Sequence, residues 1–160
     1  MNKVIILALL LTISLFGCSE QKKSHIETGE VKTEVSEELP IKFDEFAESY
    51  GMFAKEYGLG ITTLEHNVAI NDLVIVEKDE VIKEIYQLPQ GTITEATVLL
   101  KSLSENVNET DRDKITFMLE DLTRVASEGG MFLRDLELDE MVVSFIASGE
   151  SNIAMKIFPK

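Results

Sequence analysis

Apolar residues recur along residues 41–57 at steps of three, four and one. Phe43, Phe46, Tyr50, Phe53, Ala54 and Tyr57 therefore share one face of a predicted helix, and Gly58 and Gly60 stand where that helix would stop. The run Leu73-Val74-Ile75-Val76 is β-branched, Glu77 to Glu80 is polar, and Val81-Ile82-Lys83-Glu84-Ile85-Tyr86 follows; together they predict a β-hairpin. A helical reading competes there, because Val81, Ile82, Ile85 and Tyr86 also fall on one helical face. Leu88-Pro89-Gln90-Gly91 is expected to break the chain.

The next two segments read as a helical hairpin. Thr92 and Glu95 have capping-box spacing, and Ala96, Leu99, Leu100, Leu103 and Val107 form the stripe behind them, so a helix is expected over 93–105. Thr110 and Asp113 repeat the cap spacing. Ile115, Met118, Leu119, Leu122, Val125 and Ala126 then line a second helix, which ends at Gly129-Gly130. Beyond Met131 two readings stand. Leu138, Val142, Phe145 and Ile146 could end a helix at Gly149, or residues 141–147 could be a strand paired with 153–158 across Gly149-Glu150-Ser151-Asn152.

The strand reading is preferred. It gives an α+β class: a helix-rich small domain with a central helical hairpin and one or two short antiparallel β-hairpins. An all-α bundle is the alternative.

At 160 residues the chain suits one globular domain, over 41–160, preceded by segments of different character. Its 15 basic against 29 acidic side chains give a net charge of -14. Nucleic acid is excluded as a partner, because neutralising phosphates takes clustered Lys and Arg. The acidic surface favours basic partners and is repelled by anionic lipid.

The N-terminus reads as an address. Lys3 precedes an apolar run from Val4 to Phe16, too short to cross about 30 Å of hydrocarbon and of signal-peptide proportions. Leu15-Phe16-Gly17-Cys18 resembles the lipobox of bacterial lipoproteins: an aliphatic residue three before the cysteine and a small one directly before it, with Phe16 at a position usually filled by a small residue.

The resemblance implies that residues 1–17 are a leader cleaved after Gly17, that diacylglycerol is added to the Cys18 sulfur, and that a fatty acyl chain such as palmitate caps the new amino terminus. At about 0.8 kcal/mol per buried methylene, such a modification anchors the protein in a membrane. It also implies a bacterial cell-envelope location. In an organism with two membranes, Ser19 implies the periplasmic face of the outer one. Cys18 is the chain's single cysteine, so no internal disulfide is available.

Residues 19–40 are rich in Ser, Thr, Glu, Lys and Gln and have no aromatic residue, which predicts a polar tether spanning on the order of 25 Å as a flexible coil.

Candidate chemistry is sparse. His25 lies in the tether, which leaves His66 as the domain's one imidazole, and it reads as a surface or cap residue. Residues 108–113 alternate oxygen ligands but lack the central glycine and distal glutamate of a calcium loop, so a helix cap is the better reading. Asp135, Glu137, Asp139 and Glu140 read as a solvated edge.

No nucleophile elbow, P-loop or dinucleotide fingerprint is present. The expectation is a non-enzymatic lipoprotein without cofactor or metal, whose acidic domain binds a protein partner at the envelope in an accessory, inhibitory or immunity-type role. Two alternatives are a ligand-binding module with a pocket lined by Phe43, Phe46 and Tyr50, and an envelope hydrolase using a carboxylate pair.

Overall fold

The computed structural model describes residues 38–60, 62–66 and 72–160. The lipobox, Cys18 and His25 lie outside them. The elements run α1 (Phe43–Glu56), β1 (Leu73–Lys78), β2 (Val81–Gly91), α2 (Ile93–Ser104), α3 (Glu109–Glu128), β3 (Met131–Glu137), β4 (Met141–Ser148) and β5 (Ile153–Pro159).

The five strands form one sheet in the order β1-β2-β5-β4-β3, antiparallel at every junction. This overturns the helix-rich domain with a central helical hairpin and short separate β-hairpins, and equally its all-α alternative. The domain is α+β with the sheet at its centre. The β1–β2 hairpin and the β4–β5 pair are parts of the same sheet, because β5 pairs with β2 as well as β4. The helical hairpin lies to one side of that sheet, α2 packing on β2 and β5 and α3 on β3 and β4.

Alternation explains the layering. Ile85 on β2, Met141, Val143, Phe145 and Ala147 on β4, and Ile153, Met155 and Ile157 on β5 are all buried. They share the helix-facing side, since successive strand residues point to opposite faces. Against them pack Phe46, Tyr50 and Phe53 of α1, Leu99, Leu100 and Leu103 of α2, and Ile115, Met118 and Leu122 of α3. At about 25 cal/mol per Å² of apolar surface removed from water, this shared core is the main stabilising term.

The structure also corrects local expectations. Residues 131–137 form β3, which the apolar pattern does not announce. As the sheet's last strand it buries neither face fully, so Met131 and Leu133 remain exposed beside charged neighbours. Leu88 to Gly91 does not end β2. The strand continues through an irregularity, where its register against β5 shifts between Gln87 and Gly91. Helix α1 starts at Phe43 rather than Ile41. Leu39 and Ile41 enter the core ahead of it, and the Leu39 N–H donates to the Ile82 carbonyl at 2.8 Å. The cap of α3 is Asn108, whose side chain accepts from the Asp111 N–H, rather than Thr110. The Thr92–Glu95 capping box forms as its spacing implies.

Candidate functional site

The side of the sheet opposite the helices is covered by no described element. Register orders its side chains into rows. Ala154, Ile146 and Leu133 form one row across β5, β4 and β3. Tyr86, Lys156, Ser144 and Asp135 form the adjacent row across β2, β5, β4 and β3.

The second row is polar, and its groups have partners on the same face, with Glu84 beside them. Lys156 Nζ lies 3.0 Å from Glu84 Oε1, and the Tyr86 hydroxyl donates to the other Glu84 oxygen. The same ammonium sits 5.2 Å from the Tyr86 ring centroid and 5.0 Å from that of Phe158, within cation–π range. The hydrogen bonds from Tyr86 and Lys156 hold the Glu84 carboxyl below its ordinary pKa. The bond to Glu84 raises both the tyrosine and the lysine. Ser144 Oγ donates to Asp135 at 2.5 Å.

The first row is apolar and has no such internal partners. Leu133 is 74% exposed, Ile146 51%, and Met131 at the start of β3 82%. Leu88, Pro89, Leu133, Ile146, Tyr86 and Lys156 line a shallow depression of about 380 Å³ between the two rows. Directly behind it Gln87 is 4% exposed, and neither atom of its amide has a hydrogen-bond partner.

A second concavity, of about 790 Å³, runs between the end of α1 and helices α2 and α3. Lys101 lies in it, 5.4 Å from the ring centroids of both Phe53 and Tyr57, and Arg112 lies there with its Nε donating to the Ser104 carbonyl. The hydroxyls of Thr97, Ser104, Thr116, Thr123 and Ser127 all donate to carbonyls of their own helices. These side chains are already committed to satisfying the helices themselves.

No protein-family model, curated protein or solved structure matches this chain.

The residues singled out in the sequence occupy other places. Phe43, Phe46 and Tyr50 are packed into the core. His66 stacks on Phe43 with ring centroids 4.0 Å apart, and its Nδ1 lies 2.9 and 3.0 Å from the two Glu77 oxygens. It joins the segment after α1 to strand β1.

The acidic run 135–140 does not converge. Asp135 turns to Ser144, Glu137 to Lys160 and Asp139 to Asn108. Among the described residues no three His, Cys, Asp or Glu side chains are grouped to hold a metal. Sequence reasoning counted Ile146 only as part of an apolar pattern and did not single out Leu133, because only strand pairing makes them neighbours.

Proposed function

We propose that this chain is a lipoprotein anchored through Cys18 to a bacterial envelope membrane, and that its acidic domain binds a protein partner through the uncovered face of the sheet. The observation that supports the docking role is the exposed row of Leu133 and Ile146 with Met131 beside it. Among the described residues, Met131 and Leu133 are the two most exposed large apolar side chains, and both belong to one strand. Contiguous exposed apolar surface with a polar rim favours protein association.

A protein suits this face better than a bilayer does. Glu84, Asp135 and Glu137 rim it, and residues 41–160 carry 23 acidic against 11 basic side chains, a balance that anionic lipid would repel. The anchor contributes by confining the domain near envelope partners, which raises their effective concentration.

Two measurements test the reading. Intact mass of the cell-made protein should show a chain beginning at Cys18 with added diacylglycerol and acyl mass; an unmodified chain beginning at Met1 removes the anchor. Purification from envelopes in mild detergent should recover a stoichiometric protein partner with the native chain and lose it with Ile146→Lys. Equal recovery with both removes the docking face.

A further inference from the structure

Strand β3 ends the sheet, and among the described residues no further strand pairs with its outer edge. Two backbone bonds set the phase of its ladder with β4: the Leu138 N–H donates to the Met141 carbonyl at 3.0 Å, and the Gly149 N–H to the Gly130 carbonyl at 3.4 Å. Antiparallel pairs alternate between hydrogen-bonded and non-hydrogen-bonded positions. Phe132/Ala147, Arg134/Phe145 and Leu136/Val143 are therefore the bonded pairs. The N–H and C=O groups of Met131, Leu133, Asp135 and Glu137 point away from β4. Lys114 Nζ independently confirms the phase, because it reaches the Glu137 carbonyl from outside the ladder at 3.2 Å. Since β3 ends the sheet, the outward groups of Met131, Leu133 and Asp135 meet no further strand among the described residues.

Soluble proteins usually blunt such an edge with proline, a bulge or a very short strand. The opposite edge, β1, is blunted: its register shifts between Val76 and Glu77, and its hairpin tip carries Asp79 and Glu80 at positive φ. Strand β3 has no proline, bulge or shortening; its protection is limited to Arg134, which points to the helix side and pairs with Asp121, and Lys114, which occupies the Glu137 carbonyl. The strand is seven residues long and in unbroken register with β4.

Apolar side chains flank the free edge on both faces. Met131 and Leu133 lie on the uncovered face. On the helix side Phe117, 69% exposed, shares a depression with Leu136 and Arg134. An added strand would thus find Met131 and Leu133 on one face, and on the other Phe117 and Leu136 among the charged Lys114, Glu120, Asp121 and Arg134.

We propose that β3 is a strand-addition site, at which an extended segment of the partner pairs antiparallel with Met131–Glu137 and continues the sheet. The inference rests on the protein-docking role proposed above and specifies how the partner binds. Cross-strand neighbours on one face define the segment's chemistry. Opposite Glu137 and Asp135 it carries basic side chains, and opposite Leu133 and Met131 apolar ones. Main-chain hydrogen bonds provide affinity and the alternate side chains selectivity. A second copy of this chain fits the edge poorly, because two strongly acidic domains repel and self-pairing about Leu133 sets Met131 against Asp135.

The test uses the full-length chain, ¹⁵N-labelled in detergent micelles, with a blocked seven-residue peptide carrying lysine at its first and third positions and valine elsewhere. At saturating peptide the amides of Met131, Leu133 and Asp135 should exchange at least tenfold more slowly. Those of Phe132, Arg134 and Leu136, already bonded to β4, should not change. The same peptide N-methylated at alternate amides should give no protection.

Leu133→Pro should abolish the effect, since it removes an outward N–H and no ladder bond. Should that variant fail to fold, Asp135→Lys should weaken peptide binding at least tenfold. Peptide binding without protection of the three amides, no binding at millimolar peptide, or protection that rises with protein concentration in the absence of peptide would each overturn the proposal. An envelope partner retained by Leu133→Pro but lost with Ile146→Lys would overturn strand addition alone and leave the docking face standing.

Discussion

Leu133 on β3 and Ile146 on β4 stand directly opposite each other on the uncovered face, and they are a non-hydrogen-bonded pair. Such pairs bring their Cα atoms to about 4.5 Å, closer than hydrogen-bonded ones. Two large side chains at that spacing form a continuous apolar contact on the surface, while Arg134 and Phe145, the adjacent pair, face the helices.

This relationship separates binding from stability. Ile146→Lys should change unfolding free energy by no more than about 0.5 kcal/mol, as expected of an exposed position. Phe145→Ala, one residue away on the buried face, should cost about 3–5 kcal/mol. Urea denaturation of the two variants checks the contrast. Comparable losses in both would mean that the uncovered face carries structural load.

The register shift in β2 makes a second prediction. A Cβ on Gly91 would sit 1.9 Å from the Gln87 amide nitrogen, so Gly91→Ala should destabilise by more than about 1 kcal/mol. Because the Gln87 amide is buried without a hydrogen-bond partner, Gln87→Met should stabilise the domain by about 1 kcal/mol. Denaturant midpoints at constant m-value decide both.

Individual elements are readable from residue order, but the central sheet that joins them is not, because strand pairing is not a local pattern. Thr92 and Glu95 announce the start of α2 because a capping box involves only neighbours in sequence. Strand β5 alternates at Ile153, Met155 and Ile157 because one face of it is buried, whereas β4 leaves a helical reading open because Val142 and Ile146 are apolar on its other face. Strand β3 lacks that signature, since an edge strand with exposed Met131 and Leu133 has no strong contrast between its faces. The uncovered face was illegible for a further reason. Leu133, Ile146 and Ala154 become neighbours only through the pairing of three strands, and no local pattern encodes that pairing.

Asp111 couples the start of α3 to the β3–β4 turn. Its buried carboxylate accepts from the Asp139 N–H and from Lys114 Nζ, both at 2.8 Å. Burial pushes its pKa up, but the hydrogen bonds from Asp139, Lys114 and Asn108 outweigh that and hold it below the ordinary value of 3.8. A depressed folded value means that the stabilisation is present above pH 3.8 and disappears as pH falls through the folded pKa. Asp111→Ala should therefore cost about 2–3 kcal/mol at pH 7. Less of that difference should remain in acid, as acid-titrated unfolding curves would show.

His66 responds in the opposite sense. Its hydrogen bond to Glu77 raises its pKa above 6.5 against the opposing effect of desolvation, assisted by the charges of Glu77, Asp44 and Glu80. A raised folded value makes the contribution fully present below pH 6.5 and removes it as pH climbs through the folded pKa. His66→Gln should accordingly lower the melting temperature more at pH 5.5 than at pH 8.5, with the imidazole titrating above its ordinary value by NMR. Equal shifts at both pH values would remove the charged contact.

The most direct test of the proposed docking role is photocrosslinking in living cells, with a photoreactive phenylalanine analogue placed at Ile146 on the uncovered face and, as a control, at Thr123 of α3, which lines the concavity on the helix side. The account predicts a discrete protein adduct from position 146 that is absent from position 123. Adducts of equal yield at both positions, or none from position 146, would contradict it.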